Sequence, residues 1–450
     1  MTQIYTETNI SNDKERNHQE RTLKQIKNNS DLVLITSYAN HSLYYQTAAF
    51  CETSDLTLVI LPSSAAINRE IATFKGTEAE PKVAALASDL FPNQARHLIA
   101  EVAQGHYKIL FLTPESFLYW FSSGFNSMAI EHYRKLEESD MGKQVFVNTQ
   151  KSLIRVSRIV FCEFELFSKT NPAFKNKYQE AISLIRELQK PILGLSFNCS
   201  KETIQHFLRF FPNTAVIQES LKLKNVSLKA KYCFSKLDKQ KLLLKLLEED
   251  SPTLVYVSQA ESLSDLVNLV RKKMPNKIVR AFHKDLPPEQ KADVLDYFLN
   301  DPCPTFLTSS DLLEKIYRPN MKRLIHYSPP TSLSEFYREL HIFSSNSESS
   351  QTSESYLMLC EDDFLPTATE KARVQNSYNK DGFQVDFKKQ YKQMLDWISL
   401  NKGCRWQNLE HVLTSNLLEN HKCGICDLCL GNKTSLFSSM SMFMLKNKLK

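Results

Sequence analysis

Short runs of apolar residues alternate with helix-length segments along most of the 450-residue chain, and this alternation most constrains its fold. β-branched and leucine-rich runs separated in this way are typical of parallel sheets with helices on both faces. Two such sets occur, one on each side of residue 220, so the pattern predicts two similar α/β lobes in tandem. The predicted strands are Leu32–Ile35, Leu56–Leu61, Lys82–Leu86, Lys108–Leu112, Ile159–Cys162 and Ile192–Leu195, then Thr253–Val257, Lys277–Ala281, Thr305–Thr308, Arg323–His326 and Tyr356–Leu359.

The segment after the first predicted strand lies where a nucleotide-hydrolysing fold of this class holds its phosphates. Such a loop needs glycines, so that backbone N–H groups can turn toward the phosphates, and a lysine that reaches them. The loop predicted over Thr36 to His41 instead contains Tyr38, Ala39 and Asn40. The chain has only nine glycines, and its one Gly-Lys pair is followed by Gln144, so it contains no G-K-[ST] phosphate loop. The sequence therefore predicts the strand and helix that flank a nucleotide site, without the glycines and the lysine that bind its phosphates.

Charge is unevenly distributed along the chain. It has 56 Lys and Arg against 50 Asp and Glu, and residues 366–450 contain 13 of the basic and 7 of the acidic ones. The first 365 residues are therefore neutral, with 43 of each. A basic carboxyl-terminal segment fits contact with nucleic acid, and a solvated surface is an equally good interpretation of charge alone.

Composition and the polar N-terminus bear on the compartment. A content of 42% hydrophobic and 24% charged residues is typical of a soluble globular protein. The sequence shows no signal-peptide pattern and no apolar run near the ~18 residues that span a bilayer. We expect a cytoplasmic protein without a membrane partner.

Four cysteines are clustered near the end of the chain: Cys404, followed by Cys423, Cys426 and Cys429. Gaps of two residues let a tight turn place successive sulfur atoms on one side, and Gly424 eases that turn. Four thiolates could close around a tetrahedral Zn²⁺. The alternatives are an Fe–S cluster, or free thiols in a reducing compartment.

Two tandem lobes followed by a four-cysteine segment resemble the RecQ-type DNA helicases, over about 19–430. The final CxxCxxC string is the most specific part of the resemblance. The motifs that carry it are Leu43-Tyr44-Tyr45-Gln46, Leu110-Phe111-Leu112-Thr113-Pro114-Glu115, Gly194-Leu195-Ser196, His283, Arg318-Pro319-Asn320, His326-Tyr327, Glu335-Phe336-Tyr337-Arg338-Glu339 and Cys423-Gly424-Ile425-Cys426-Asp427-Leu428-Cys429.

The resemblance implies a domain organisation for the whole chain. It implies RecA-like lobes over 1–217 and 218–365, a helical zinc-binding module over 366–432, and a short tail over 433–450. The zinc would be structural and held by the four clustered cysteines. We expect no winged-helix domain after them, which argues against strand separation.

In such helicases ATP binds between the lobes, and a single DNA strand runs across their tops. By resemblance, the adenine-contacting position falls on Gln19, the phosphate-loop lysine on His41 and the Mg²⁺ hydroxyl on Ser42. The magnesium-side aspartate falls on Cys162, either a reactive thiol or a buried inert one. Glu163 is then the remaining catalytic carboxylate, which could orient a water.

The arginine-finger positions of the resemblance fall on Ile342 and Ser345. Such arginines can contribute about 10³–10⁵ in rate to phosphoryl transfer. The lysine, the aspartate and both arginines are thus absent together, which argues against the use of ATP and Mg²⁺. We interpret the chain as a RecQ-like protein that has lost ATP hydrolysis.

Three functions remain open from the sequence. The first is a catalytically impaired protein that binds single-stranded or branched DNA, or acts as an accessory subunit beside another helicase, in DNA repair or recombination, with nucleoid association a possibility. The second is an active ATP-dependent 3′–5′ DNA helicase. The third is a protein-interaction scaffold without nucleic acid. Tyr44, Tyr45 and Trp406 are either base-stacking platforms or core residues.

Overall fold

The chain divides into two compact units, Met1–Leu221 and Lys222–Lys450. Each contains one parallel sheet with helices packed on it, so the predicted fold class of two tandem α/β lobes is confirmed. The finer division into four segments stays a prediction. The computed structural model describes residues 20, 22–51, 55–86, 90–121, 140–165, 172–197, 201–257, 260–283, 285–308, 318, 320–330, 332–340, 342–343, 352–360, 363, 387–414 and 422–431.

The first unit contains a seven-stranded parallel sheet of order β3-β4-β2-β5-β6-β1-β7. Its strands are β1 (Leu32–Ile35), β2 (Leu56–Ile60), β3 (Val83–Leu86), β4 (Ile109–Leu112), β5 (Val156–Cys162), β6 (Ile192–Ser196) and β7 (Ala215–Gln218). Every residue of β1, β2, β4 and β6 is buried, as expected of strands covered on both faces.

Helices connect these strands and cover the sheet. They are α1 (Tyr38–Phe50), α2 (Ser64–Phe74), α3 (Pro92–Gln104), α4 (Pro114–Phe121), α5 (Asp140–Arg155), α6 (Pro172–Glu187) and α7 (Lys201–Phe210). The Ser63 side chain caps α2 by accepting a hydrogen bond from the amide of Ala66, and Gly105 ends α3 in the left-handed conformation.

The second unit contains a six-stranded parallel sheet of order β10-β11-β9-β12-β13-β8. The strands are β8 (Val226–Tyr232), β9 (Thr253–Tyr256), β10 (Val279–Phe282), β11 (Thr305–Thr308), β12 (Arg323–His326) and β13 (Ser353–Leu359). The helices of this unit are α8 (Lys236–Leu247), α9 (Ala260–Lys273), α10 (Pro288–Asn300), α11 (Leu333–Glu339), α12 (Phe387–Ile398) and α13 (Arg405–Thr414).

Two strands were not predicted from the sequence, and both lie at sheet edges. β7 has the partly exposed sequence AVIQ, and β8 reads VSLKAKY, so neither presents the continuous apolar run of a central strand. Edge strands pair on one side only and tolerate polar residues. The first lobe's last strand and the second lobe's first strand were therefore missed for one physical reason.

Candidate nucleotide site and candidate metal centre

The predicted phosphate loop is shorter than expected. Helix α1 begins at Tyr38, so only Thr36 and Ser37 separate it from β1, and the expected loop over Thr36 to His41 is wrong. Without glycines this segment continues the helix toward the strand instead of wrapping around a ligand. The N–H groups of a first helical turn point along the helix axis, so they cannot encircle a phosphate as a glycine-rich loop does.

His41, at the position of the phosphate-loop lysine, is buried. Only 3% of its surface is exposed, and its ring lies 6.3 Å from that of Phe197 between centroids. Burial lowers the pKa of His41 to about 4, and hydrogen bonds to the backbone of Ser196 and Thr36 offset this only in part. At neutral pH the imidazole is uncharged, so His41 supplies no cation for a phosphate.

Ser42, the predicted magnesium hydroxyl, is engaged by a carboxylate. Its Oγ donates to Glu70 Oε2 at 3.1 Å, and the Tyr45 hydroxyl donates to the same oxygen at 2.6 Å. Glu70 comes from α2 and is buried. Burial, followed by the charge of Glu70, raises the pKa of Tyr45 well above its usual value. The surviving hydroxyl therefore faces negative charge from within the protein.

A second glutamate, Glu219, binds the residues around the start of α1 by hydrogen bonds. Glu219 follows β7, and its carboxylate accepts hydrogen bonds from Thr36 Oγ1 at 2.6 Å and from the Tyr44 hydroxyl at 2.5 Å. Sequence reasoning missed both glutamates. The signal was available in part, because a buried tyrosine hydroxyl needs a hydrogen-bond partner, and two tyrosines lie side by side in α1.

Cys162, at the predicted magnesium-side position, is a core residue. It ends β5, is paired in register with Leu195 of β6, and packs in the apolar cluster that contains Tyr45 and Val160. A thiol buried among apolar side chains is inert, so this position supports the unreactive interpretation. The next residue, Glu163, is buried as well and has the left-handed φ of +53°.

The remaining sequence-predicted positions are distributed as follows. Gln19 and Ser345 lie outside the described residues. Ile342 is fully buried, so this arginine-finger position is occupied by a core side chain. Tyr44, Tyr45 and Trp406 are at most 1% exposed, so the alternative of base-stacking platforms is wrong for all three.

The structure brings the four clustered cysteines together. The Sγ atoms of Cys404, Cys423, Cys426 and Cys429 all lie within 4.8 Å of one another, and those of Cys423 and Cys429 are 3.8 Å apart. A tetrahedral site with Zn–S bonds of about 2.3 Å has edges of about 3.8 Å. Gly424 supplies the turn with a φ of +77°. The donor set and its spacing fit a tetrahedral metal such as zinc.

Backbone amides surround these sulfur atoms. Cys423 N donates to the Sγ of Cys404 at 3.3 Å, Cys426 N to that of Cys423 at 3.3 Å, and Cys429 N to that of Cys426 at 3.4 Å. Hydrogen bonds with the Cys423 and Cys426 thiols strongly lower the pKa of Cys404. Amides pointed at sulfur stabilise thiolates, which are the form that binds a metal.

A buried ion pair lies beside the cysteines. Arg405 Nε is 2.6 Å from Asp427 Oδ1, and neither side chain is more than 1% exposed. Arg405 Nη1 also donates to the carbonyl of Trp397 at 2.8 Å, and the guanidinium lies over that indole ring. This pair therefore links the cysteine segment to α12 and α13.

A model of a known protein family matches part of the second lobe. Residues 238–341, less than half of the chain, match the family model of the helicase conserved C-terminal domain. A search of curated protein sequences gives no match. None of the helices in the described part of the chain combines the length and the apolar composition that a membrane span requires.

Solved helicase structures share the fold of the chain. S. cerevisiae Dbp5 bound to RNA and ADP BeF3 matches with 12% identity and a TM-score of 0.53, over 81% of this chain and 88% of that one. The DEAD-box helicase Mss116 bound to ssRNA and UDP-BeF matches with 11% identity and a TM-score of 0.56, over 84% and 76%. Mycobacterium smegmatis helicase Lhr bound to ssDNA and AMP-PNP matches with 15% identity and a TM-score of 0.52, over 89% and 54%.

At such identities a structural match shows the fold alone. The chain is a protein with two tandem RecA-like lobes of the helicase fold. Together with the domain match, this relates it to nucleic-acid helicases. The helicase part of the sequence resemblance is confirmed, and the RecQ type stays a prediction because these relatives are of other types.

Proposed function

We propose that this chain is a RecQ-like helicase-fold protein that binds DNA and does not hydrolyse ATP. The observation that carries the proposal is that His41 is buried and uncharged. The residue at the lysine position is buried, and its lowered pKa leaves it neutral at pH 7. A nucleotide-hydrolysing site of this fold needs a cation there to bind the β- and γ-phosphates.

The electrostatics around His41 support the same conclusion. Glu70 holds Ser42, and Glu219 holds Thr36, so two carboxylates border the start of α1. At an effective dielectric of 20, a phosphate charge placed about 4 Å from one carboxylate is repelled by about 4 kcal/mol. A triphosphate bound at this segment would face like charge from these carboxylates, and the neutral His41 stands at the lysine position.

The proposal of DNA binding rests on fold and charge. The related helicases named above were solved with RNA or single-stranded DNA. The segment 366–450 contains 13 basic and 7 acidic residues, and four thiolates with one Zn²⁺ would leave it at about +4. A basic segment of this kind attracts phosphates through counterion release. DNA as the nucleic acid, and an accessory role in repair or recombination, follow from the RecQ resemblance.

The metal is proposed as structural zinc. The sulfur spacing and the amides around it favour Zn²⁺, which would supply folding free energy to the cysteine segment and take no part in catalysis. Elemental analysis of the purified chain tests this. We expect one equivalent of zinc per chain, and a folded chain without metal would contradict the assignment.

The test of DNA binding is the salt dependence of affinity for a single-stranded and a branched oligonucleotide. We expect log affinity to fall linearly with log salt, because each phosphate contact releases counterions. Lys402→Glu combined with Lys422→Glu, two exposed positions flanking the cysteines, should weaken binding and reduce the slope.

A matched control reverses two charges elsewhere in the same unit. Lys272→Glu combined with Lys273→Glu alters two exposed lysines at the end of α9. We expect a smaller effect from this pair. Binding without a salt slope, or no binding, would contradict the proposal and favour a scaffold that contacts proteins alone.

A further inference from the structure

Strand β8 lies at the edge of the second sheet, and among the described strands it pairs with β13 alone. Two hydrogen bonds show which of its backbone groups face that neighbour. Ser353 N donates to Asn225 O, and Cys233 N donates to Leu359 O, both at 2.7 Å. Backbone groups of alternate residues point to opposite sides of a strand in its plane, so the even-numbered residues of β8 face the open edge.

The side of β8 that faces away from β13 is covered by residues of α13 and of the segment 422–431. Trp406 Nε1 donates to Val226 O at 2.8 Å, and Asp427 N donates to Leu228 O at 3.2 Å. Ala230 N in turn donates to the Asp427 carboxylate at 3.1 Å. Three of the four even-numbered residues of β8, Val226, Leu228 and Ala230, thus carry a backbone group bonded by these residues, and their side chains are fully buried. The covering residues thus satisfy groups that an uncovered edge leaves to water or to another strand.

The position of Asp427 depends on the cysteines around it. Asp427 lies between Cys426 and Cys429, and Ile425, just before Cys426, accepts a hydrogen bond from Ser227 Oγ at 2.6 Å. The segment 422–431 contains no helix or strand of its own. A segment without regular structure keeps a fixed position through cross-links and through its contacts with neighbouring elements, and the four sulfur atoms provide the site for such a cross-link here.

We propose that the four-cysteine centre is a metal-dependent clasp, which holds the segment 422–431 over the open edge of the second sheet. Loss of the metal releases Asp427 from β8 and uncovers the strand. The clasp rests on the metal proposed above and is independent of DNA binding and of ATP. It assigns Asp427 a positioning role that the metal-ligand pattern alone does not show.

Hydrogen exchange of single amides in the full chain tests the clasp. The metal is removed with a chelator under reducing conditions, and metal content is measured in the same samples. We expect exchange at Ala230 N to accelerate at least tenfold after removal, while Val255 N, in the interior strand β9, keeps its protection. Unchanged protection at Ala230 with the metal gone would overturn the proposal. A chain purified without metal would refute the metal assignment itself, a separate readout.

The variant Asp427→Asn tests the role of Asp427 while leaving the four cysteine ligands unchanged. In Asp427→Asn the amide offers one acceptor oxygen, where the carboxylate serves Arg405 Nε and Ala230 N with different oxygens. The buried guanidinium takes that oxygen, so the amide NH₂ faces Ala230 N. We expect metal content to stay at one equivalent and exchange at Ala230 to rise at least tenfold. The exposed Asp293→Asn on α10 is the control, with no change expected. Full protection in a metal-loaded Asp427→Asn variant would overturn the role of Asp427.

Discussion

Burial of His41 makes the first lobe sensitive to acid, and the size of the effect follows from its pKa. The imidazole titrates near 4 in the folded protein and near 6.5 in the unfolded chain. Between these values the unfolded chain binds a proton that the folded protein does not, so stability falls as pH falls. The contribution is fully present above pH 6.5. The free energy of unfolding is lower by about 3 kcal/mol at pH 4 than at high pH because of this one residue. Of this, about 2 kcal/mol is lost between pH 7 and 5.

Replacement of His41 by a neutral side chain removes this contribution. Between pH 7 and 5 the free energy of unfolding should fall by about 2 kcal/mol less in His41→Gln than in the unmodified chain, because glutamine does not titrate. Urea denaturation of both proteins at both pH values measures the difference, and comparing differences cancels other titrating groups, including the buried His326. Equal pH dependence of the two proteins would refute a buried, neutral His41 and restore it as a candidate phosphate cation.

Three further substitutions probe buried contacts by thermal unfolding and metal content. Tyr45→Phe removes a hydrogen bond to a buried carboxylate and should cost about 2 kcal/mol, or roughly 4–8 °C in the first lobe's Tm; an unchanged Tm would argue against that contact. Cys426→Ser should release the zinc, whereas the exposed Cys303→Ser should retain it; retention in both would exclude Cys426 as a ligand. Asp363→Asn leaves the buried ammonium of Lys239 without its ion pair and should cost about 3–5 kcal/mol, and a loss below 1 kcal/mol would contradict that pairing.

The alternation of apolar runs was sufficient to predict the fold. Central strands such as β1 and β11 were located to the residue, because a strand covered on both faces must be apolar throughout. The edge strands β7 and β8 escaped prediction, since a strand that pairs with a neighbour on one side only need not be apolar throughout and admits polar and charged residues. The covered edge of β8 could not be foreseen, because it depends on contacts between residues about 200 positions apart.

The candidate sites were predictable to different degrees. The four cysteines brought their sulfur atoms together as expected. The two-residue gaps constrain Cys423, Cys426 and Cys429, whereas the place of Cys404 depends on the fold of the nineteen positions before Cys423. The absence of glycines and of a lysine near His41 was visible in the sequence. Burial of His41 and its neighbouring carboxylates Glu70 and Glu219 was not, because each glutamate comes from an element remote in sequence.

ATP hydrolysis by the purified chain, measured with and without single-stranded DNA, tests the central claim most directly. We predict no turnover above the protein-free background in either condition, because the predicted phosphate position holds the neutral, buried imidazole of His41, and carboxylates hydrogen-bond to Ser42 and Thr36 in the same segment. His41→Ala serves as the matched variant and should behave identically. DNA-stimulated turnover that disappears in His41→Ala would contradict the proposal and establish an active helicase motor.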